Sequence, residues 1–287
     1  MDHVVANVLA RHDPVTEPAA VIFDSPHSGR IYPDDFDHAL PRAQVERSAD
    51  AFVHELYEAA PRCGATLLHA LFPRAYIDPN RAPDDIDESL LDTPWPDDVR
   101  PGPKVALGIG LIAKREPEGF MYDRKLTVSE VRRRLDKYYW PYHRELEGLL
   151  SKRHTRWGAV WHVNCHSMHA VSTEVSPEGP GVSRPDFCIG DRDQSTCDSA
   201  FTEMIVDTLR AMGYSVTVND PYKGVELIRR YSDPANGRHS VQIEVNRALY
   251  MDQDRIERNG GFATLQRNLA RLVQTICDFS RESVREV

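Results

Sequence analysis

Cysteine is scarce and poorly placed for cross-linking: the five residues Cys63, Cys165, Cys188, Cys197 and Cys277 are odd in number and never fall in a CxxC spacing. That argues against a disulfide framework and against a structural zinc site made of paired cysteines, and it fits the reducing cytoplasm. Long apolar runs are also missing. No stretch of about 18 apolar residues is available to span a bilayer. The opening Met1-Asp2-His3 lacks the basic start and apolar stretch of a signal peptide. Positive charge is in deficit, with 35 Lys+Arg against 44 Asp+Glu and a net charge of −9. The two signs are interspersed, so the clustered basic face that nucleic acid requires is absent. No Ser/Gly-rich linker or low-complexity stretch divides the chain. Its 287 residues, 41% of them apolar, read as one domain over residues 1–287.

What is present is a series of short apolar runs that end in polar residues. Ala19-Ala20-Val21-Ile22-Phe23 suits a strand buried on both faces and leads to Asp24-Ser25-Pro26-His27-Ser28-Gly29. Residues 66–72 form a second run, followed by Arg74, Asp78, Asn80 and Arg81. Residues 159–165 form a third, ending at His166, and residues 187–189, 214–218 and 240–245 supply three more. Between them, residues 45–60 show helical spacing with Asp50 near the start. Thr127-Val128-Ser129-Glu130 is a capping box opening a helix that Pro141 should kink or restart and that runs on to about Ser151. Further helices are predicted over 196–212, stopped by Gly213, and from Phe262 to about Phe279. Strands alternating with helices predict an α/β fold with a largely parallel or mixed sheet covered on both faces. In such sheets ligands collect beyond the carboxyl ends of the strands. Residues 82–103, with Pro83, Pro94, Pro96, Pro101, Pro103 and many aspartates, read as a long loop of the kind that serves as a lid.

The chemistry-bearing residues sit where strands are predicted to end. A catalytic zinc takes three ligands from His, Asp, Glu or Cys and leaves a fourth position open. His27, Asp50 and His166 supply that set from three separate elements. His162 would share the face of His166 and reads either as a ligand or as a buried hydrogen-bonded histidine; His169 reads as pocket lining. Glu244 interrupts the apolar run around Val241-Gln242-Ile243, and a buried carboxylate needs a partner. That partner is either a nearby cation such as Arg247 or a metal site, where Glu244 would be a general base. Asn80 and Arg81, with Arg74, read either as a clamp for a substrate carboxylate or as surface salt-bridge formers. Ser28 and Ser167 lack a glycine-flanked elbow and suit supporting roles. Gly108-Ile109-Gly110 is a chance dinucleotide match, because Lys114 to Gly119 cannot continue as the required helix.

Taken together, several segments resemble the N-formylglutamate amidohydrolase family. They are Phe23-Asp24-Ser25-Pro26-His27-Ser28-Gly29, Ser48-Ala49-Asp50, Asp78-Pro79-Asn80-Arg81, Tyr122-Asp123-Arg124-Lys125-Leu126-Thr127, Tyr139-Trp140-Pro141-Tyr142-His143, Asn164-Cys165-His166-Ser167-Met168, Asn219-Asp220-Pro221-Tyr222-Lys223-Gly224 and Gln242 to Asp252. They occur in the family's order and span about residues 20–275. The resemblance implies a single-domain, three-layer α/β/α fold of the phosphorylase/hydrolase-like type, related to zinc carboxypeptidases. It implies hydrolysis of N-formyl-L-glutamate to formate and glutamate, within histidine degradation. It also implies one zinc ion on His27, Asp50 and His166, Glu244 as acid/base, Asn80 and Arg81 as the carboxylate clamp, and Arg74 polarising the carbonyl. The partner is then a small anionic N-acyl amino acid. A second arginine, from Arg30, Arg115 and Arg229, is expected to meet its other carboxylate. After Lys223-Gly224 the chain departs from the family's pattern, with Val225-Glu226-Leu227 where a further glycine is usual. Two other readings remain: a deacylase or peptidase of the same mechanism with another substrate, and a binding protein for acidic ligands without turnover.

Overall fold

The six predicted strands meet in one eight-stranded sheet. In this computed structural model, which describes residues 2–174, 176 and 178–284, the strands are β1 (Asp2–Val5), β2 (Leu9–His12), β3 (Val21–Ser25), β4 (Thr66–Ala70), β5 (Val160–Met168), β6 (Phe187–Gly190), β7 (Val216–Val218) and β8 (Arg238–Asn246). Their order is β1-β2-β4-β3-β5-β8-β6-β7. The central four, β4, β3, β5 and β8, run parallel. β2 is antiparallel to β4, and β6 is antiparallel to β8. The fold is thus α/β with a mixed, largely parallel sheet. β3, β4 and β5 are buried along their whole length, which explains why they read as near-continuous apolar runs.

Successive side chains of a strand point to opposite faces, and the core divides accordingly. Val21, Phe23, Leu67, Val163 and Cys165 pack with α3 (Ser199–Ala211) and α5 (Phe262–Ser283) on one side. Ile22 and Leu68 pack on the other, with α1 (Val128–Arg134), α2 (Trp140–Trp157) and α4 (Glu226–Tyr231). On this second face the central strands turn polar as they approach their carboxyl ends. The parallel register sets Ser240 beside His162, Gln242 beside Asn164, Glu244 beside His166, and Asp24 beside Asn164. Three strands therefore present a polar floor between an apolar core and the solvent.

The structure departs from or adds to the sequence reading in four places. Residues 45–60 do not form one helix: short helical turns at Arg42–Val45, Glu46–Ser48, Val53–Leu56 and Ala60–Cys63 are separated by an extended Ala49 and by Phe52 at φ 65°. The break places the Asp50 amide on the carbonyl of His27 at 3.0 Å, so a tertiary contact overrides helical spacing. Pro141 restarts its helix, sitting in the first turn of the segment that opens at Trp140. A π turn over Leu135–Tyr139 comes just before it, and the helix runs through to Trp157. The wider turn aims Tyr139 at the carbonyl of Arg81 and Tyr142 at Asp24, a use typical of π turns near functional sites. The β1–β2 hairpin was not anticipated, since its four-residue strands carry His3, Arg11 and His12 without sustained alternation. Finally, residues 82–103 contribute no lining to the main cleft; the chain just after them, Lys104 and Ile109, does.

Candidate active site

His27, Asp50 and His166 converge, and all three are buried. Their ligand atoms all lie within 4.8 Å of one another. Asp50 Oδ2 is 3.4 Å from His27 Nδ1 and 3.1 Å from His166 Nδ1. The turn that carries His27 runs against the chain after β4 so closely that a Cβ on Gly29 would sit 2.1 Å from the carbonyl oxygen of Phe72, so only glycine fits there. The far side of each imidazole is fixed. His27 Nε2 donates to Asp78 Oδ1 at 2.6 Å, and His166 Nε2 donates to Asn164 Oδ1 at 2.6 Å. Asn164 is oriented by its own nitrogen, which donates to Asp24 at 2.7 Å. With both Nε2 atoms protonated, each Nδ1 offers a lone pair toward the Asp50 carboxylate, which also offers lone pairs. His27 Nδ1 is buried without a hydrogen-bond partner. Lone pairs that face one another in a dry pocket call for a cation, and the carboxylate–imidazole pairing behind them is the usual support of a metal ligand.

Supporting groups pin the carboxylates. Asp50 Oδ1 accepts from Arg247 Nη2 at 3.0 Å and from Ser167 Oγ at 3.1 Å. Arg247 also donates to the carbonyls of Arg47 and Ala49, which holds the irregular 46–52 segment in place. Asp78 Oδ2 accepts from Arg74 at 2.7 Å, and Asp78 Oδ1 from the Asn80 amide at 2.8 Å. Burial pushes the Asp78 carboxyl up, yet the Arg74 charge outweighs it and holds that carboxyl well below the ordinary range. Glu244 behaves in the opposite way. Burial raises its carboxyl against the pull of His166, and among the described residues its hydrogen-bond donor is Gln242, at 2.8 Å.

These groups line a cleft of about 260 Å³ at the carboxyl ends of the parallel strands. Although the protein carries a net charge of −9, Arg74, Arg81, Lys104, Arg115, Arg184 and Arg247 all border this cleft. A small anion is the natural ligand of such a lining. The Arg115–Glu116 and Gly119–Phe120 hairpin overhangs the cleft from one side, and burial pushes Glu116 up to about 7.

A family model described as N-formylglutamate amidohydrolase matches residues 19–251. The chain belongs to the N-formylglutamate amidohydrolase family. The crystal structure of N-formylglutamate amidohydrolase from Ralstonia eutropha JMP134 is 44% identical, covers 97% of this chain and 100% of that one, and superposes with a TM-score of 0.91. The N-formylglutamate deformylase of Pseudomonas putida is 27% identical over 242 residues, which are 81% of this chain and 82% of the relative. A gene product of Agrobacterium tumefaciens, 19% identical with 96% of each chain covered and a TM-score of 0.68, shares the fold.

Within this family member the sequence-predicted residues divide into two groups. Arg74, Asn80, Arg81, Arg115, His169 and Glu244 join the triad around the cleft. Arg30 and Arg229 do not line it: Arg30 pairs with Glu46 at 3.1 Å, and Arg229 with Glu226 at 2.6 Å. His162 is the buried, hydrogen-bonded histidine, held by Asp24 at 2.8 Å and Ser240 at 3.2 Å. Arg247 pairs with Asp50, so Glu244 is free of the ion pair considered for it. Asn80 is largely committed: its oxygen accepts from the Leu227 amide at 2.9 Å, and its nitrogen approaches Asn164 Oδ1 at 3.4 Å. Sequence reasoning missed Asp78, Asn164 and Lys104 as site residues. For Asn164 a signal existed, since Asn164 and His166 alternate with the apolar Val163 and Cys165 and therefore share a face. Asp78 and Lys104 lie in irregular connections, where no period marks which side chains turn inward.

Proposed function

We propose that the protein is a zinc-dependent amidohydrolase that cleaves N-formyl-L-glutamate to formate and L-glutamate, a step the family resemblance assigns to histidine degradation. The observation that carries this reading is the pair of Nδ1 atoms aimed at the Asp50 carboxylate, beside Glu244, in a cation-lined cleft. His27, Asp50 and His166 would hold the ion. When bound there, a divalent cation supplies Lewis acidity, which polarises a carbonyl and lowers the pKa of water to about 7.

The chain's own groups do the rest. Arg81 takes the substrate's α-carboxylate, with the remaining N–H of Asn80 beside it, and so fixes the amide over the triad. Glu244 accepts a proton from water as the oxygen adds to the formyl carbon. Arg74, anchored through one nitrogen on Asp78, stabilises the oxyanion that forms. Glu244 then delivers the proton to the departing nitrogen as the C–N bond breaks, leaving formate and a free amine. A carboxyl raised by burial suits both halves of that exchange. The whole of residues 1–287 is read as one catalytic domain. Its free cysteines support a reducing, cytoplasmic setting.

Formate release from N-formyl-L-glutamate is the direct test, run beside N-acetyl-L-glutamate and N-formyl derivatives of aspartate, glutamine and methionine. The reading requires N-formyl-L-glutamate to have the highest kcat/KM. A higher value for another member assigns the site to a deacylase of the same mechanism. Zinc-loaded protein without turnover of any of them assigns it to binding alone.

A further inference from the structure

Three of the cations bordering the cleft, Arg81, Lys104 and Arg115, form no ion pair with a carboxylate among the described residues. The others are matched: Arg74 with Asp78, Arg247 with Asp50, Arg184 with Glu178 at 2.8 Å, and Lys223, which also borders the cleft, with Asp193 at 2.8 Å. Arg115 lies on the overhanging hairpin, its stem pressed against Gly108. Lys104 and Arg81 are linked to each other. Arg81 Nε donates to the carbonyl of Ile109 at 3.1 Å, and the Ile109 amide donates to the carbonyl of Lys104 at 3.0 Å. The Lys104 segment is anchored again where the Gly102 amide donates to Asp85 at 2.6 Å. The Lys104 ammonium lies 5.5 Å from the centre of the Tyr222 ring.

Two like charges held together in a cleft, one buried and one half-buried, are destabilising by themselves. Burial first, then the charges of Arg81 and Arg74, bring the Lys104 ammonium down to about 8, while Glu244 and Asp78 act the other way. A rigid arrangement of unmatched cations makes sense when the ligand supplies the missing negative charges. An N-acyl glutamate carries two: one next to the amide, the other at the end of the side chain.

We propose that Lys104 receives the side-chain carboxylate of the substrate while Arg81 receives the α-carboxylate, so that Lys104 selects acidic N-acyl amino acids over neutral ones. This rests on the amidohydrolase reading of the same cleft; it assigns that carboxylate to a lysine, while Arg115, one of the arginines the sequence led us to expect, also lines the cleft.

The test compares wild type with Lys104→Met in zinc-loaded protein. It uses kcat/KM for N-formyl-L-glutamate against N-formyl-L-glutamine, and calorimetric binding of L-glutamate against L-glutamine. Loss of one charge-assisted contact should lower the acidic-to-neutral ratio about 10- to 100-fold, through KM and Kd, with kcat on the neutral substrate retained. In wild type the acidic preference should also fall as pH rises through about 8, because the ammonium loses its proton. If Lys104→Met fails to fold, that pH profile decides alone. An unchanged ratio in the folded variant, or a wild-type preference that stays flat across that pH range, overturns the proposal. Lys104-dependent preference for glutamate without turnover of N-formyl-L-glutamate leaves Lys104 in its role and removes the deformylase reading. Turnover with an unchanged ratio does the reverse.

Discussion

At the scale of single residues, the triad depends on the groups behind it. Asp78 fixes the proton of His27 on Nε2 and leaves Nδ1 to face Asp50. Asp78→Asn keeps the shape but offers a neutral amide in place of a carboxylate. Zinc affinity should fall about 10- to 100-fold, read by competition with a chromogenic chelator. Glu244→Gln should retain KM and lose about 10²- to 10⁴-fold in kcat. The acid limb of kcat belongs to the same residue. Glu244 works from its deprotonated form and burial raises its carboxyl, so activity should fall, as pH drops, at a value above that of an ordinary carboxylate. A pH–rate profile with a limb at or below the ordinary carboxylate value would count against Glu244 as the base. His27, His166 and Glu244 were legible because each is a polar residue at or near the end of an apolar run. Asp50 meets His27 and His166 as expected but from a different scaffold, and Lys104 was not seen at all.

At the scale of elements, legibility followed periodicity and capping. The Thr127–Glu130 box forms as predicted, with Glu130 accepting from the Thr127 amide at 2.7 Å and from Arg124 at 2.8 Å. Burial pushes the Glu130 carboxyl up, yet the hydrogen bonds from Arg124 and Thr127 outweigh it and bring it down to about 2. A carboxyl depressed in the folded state stabilises the protein above its ordinary value and loses that contribution as pH falls toward about 2. Acid unfolding curves of wild type and Glu130→Gln should therefore differ near neutrality and converge at low pH. Thr127→Ala should cost about 1 kcal/mol in urea unfolding. The segment around Asp50 defeated the same rules. Its apolar spacing is helical, but the bonds from Arg247 to the carbonyls of Arg47 and Ala49 come from the turn just past β8, some 200 positions later in the chain, and no local pattern carries that information.

At the scale of the whole molecule, the sheet carries an apolar core on each face, and on one face the carboxyl ends of the central strands turn polar. The alternation in β5 and β8 could be read from sequence, but which face met water could not, because register and strand order settle that. Without an ion, Asp50 faces two imidazole lone pairs in a dry pocket, so chelation should destabilise the fold as well as the chemistry. A ligand at a thousand times its Kd contributes about 4 kcal/mol, and each kcal/mol moves Tm by about 2–4 °C in a chain of roughly this size. Calorimetric melting before and after chelation, with zinc added back, should show a drop of that order and its recovery.

His166 and Glu244 are built into interior strands, where a slip of one residue would bury them in the opposite core, whereas Lys104 and Arg115 stand on short peripheral elements outside the main sheet. On the proposed roles, hydrolysis and substrate choice then rest on separate parts of the scaffold.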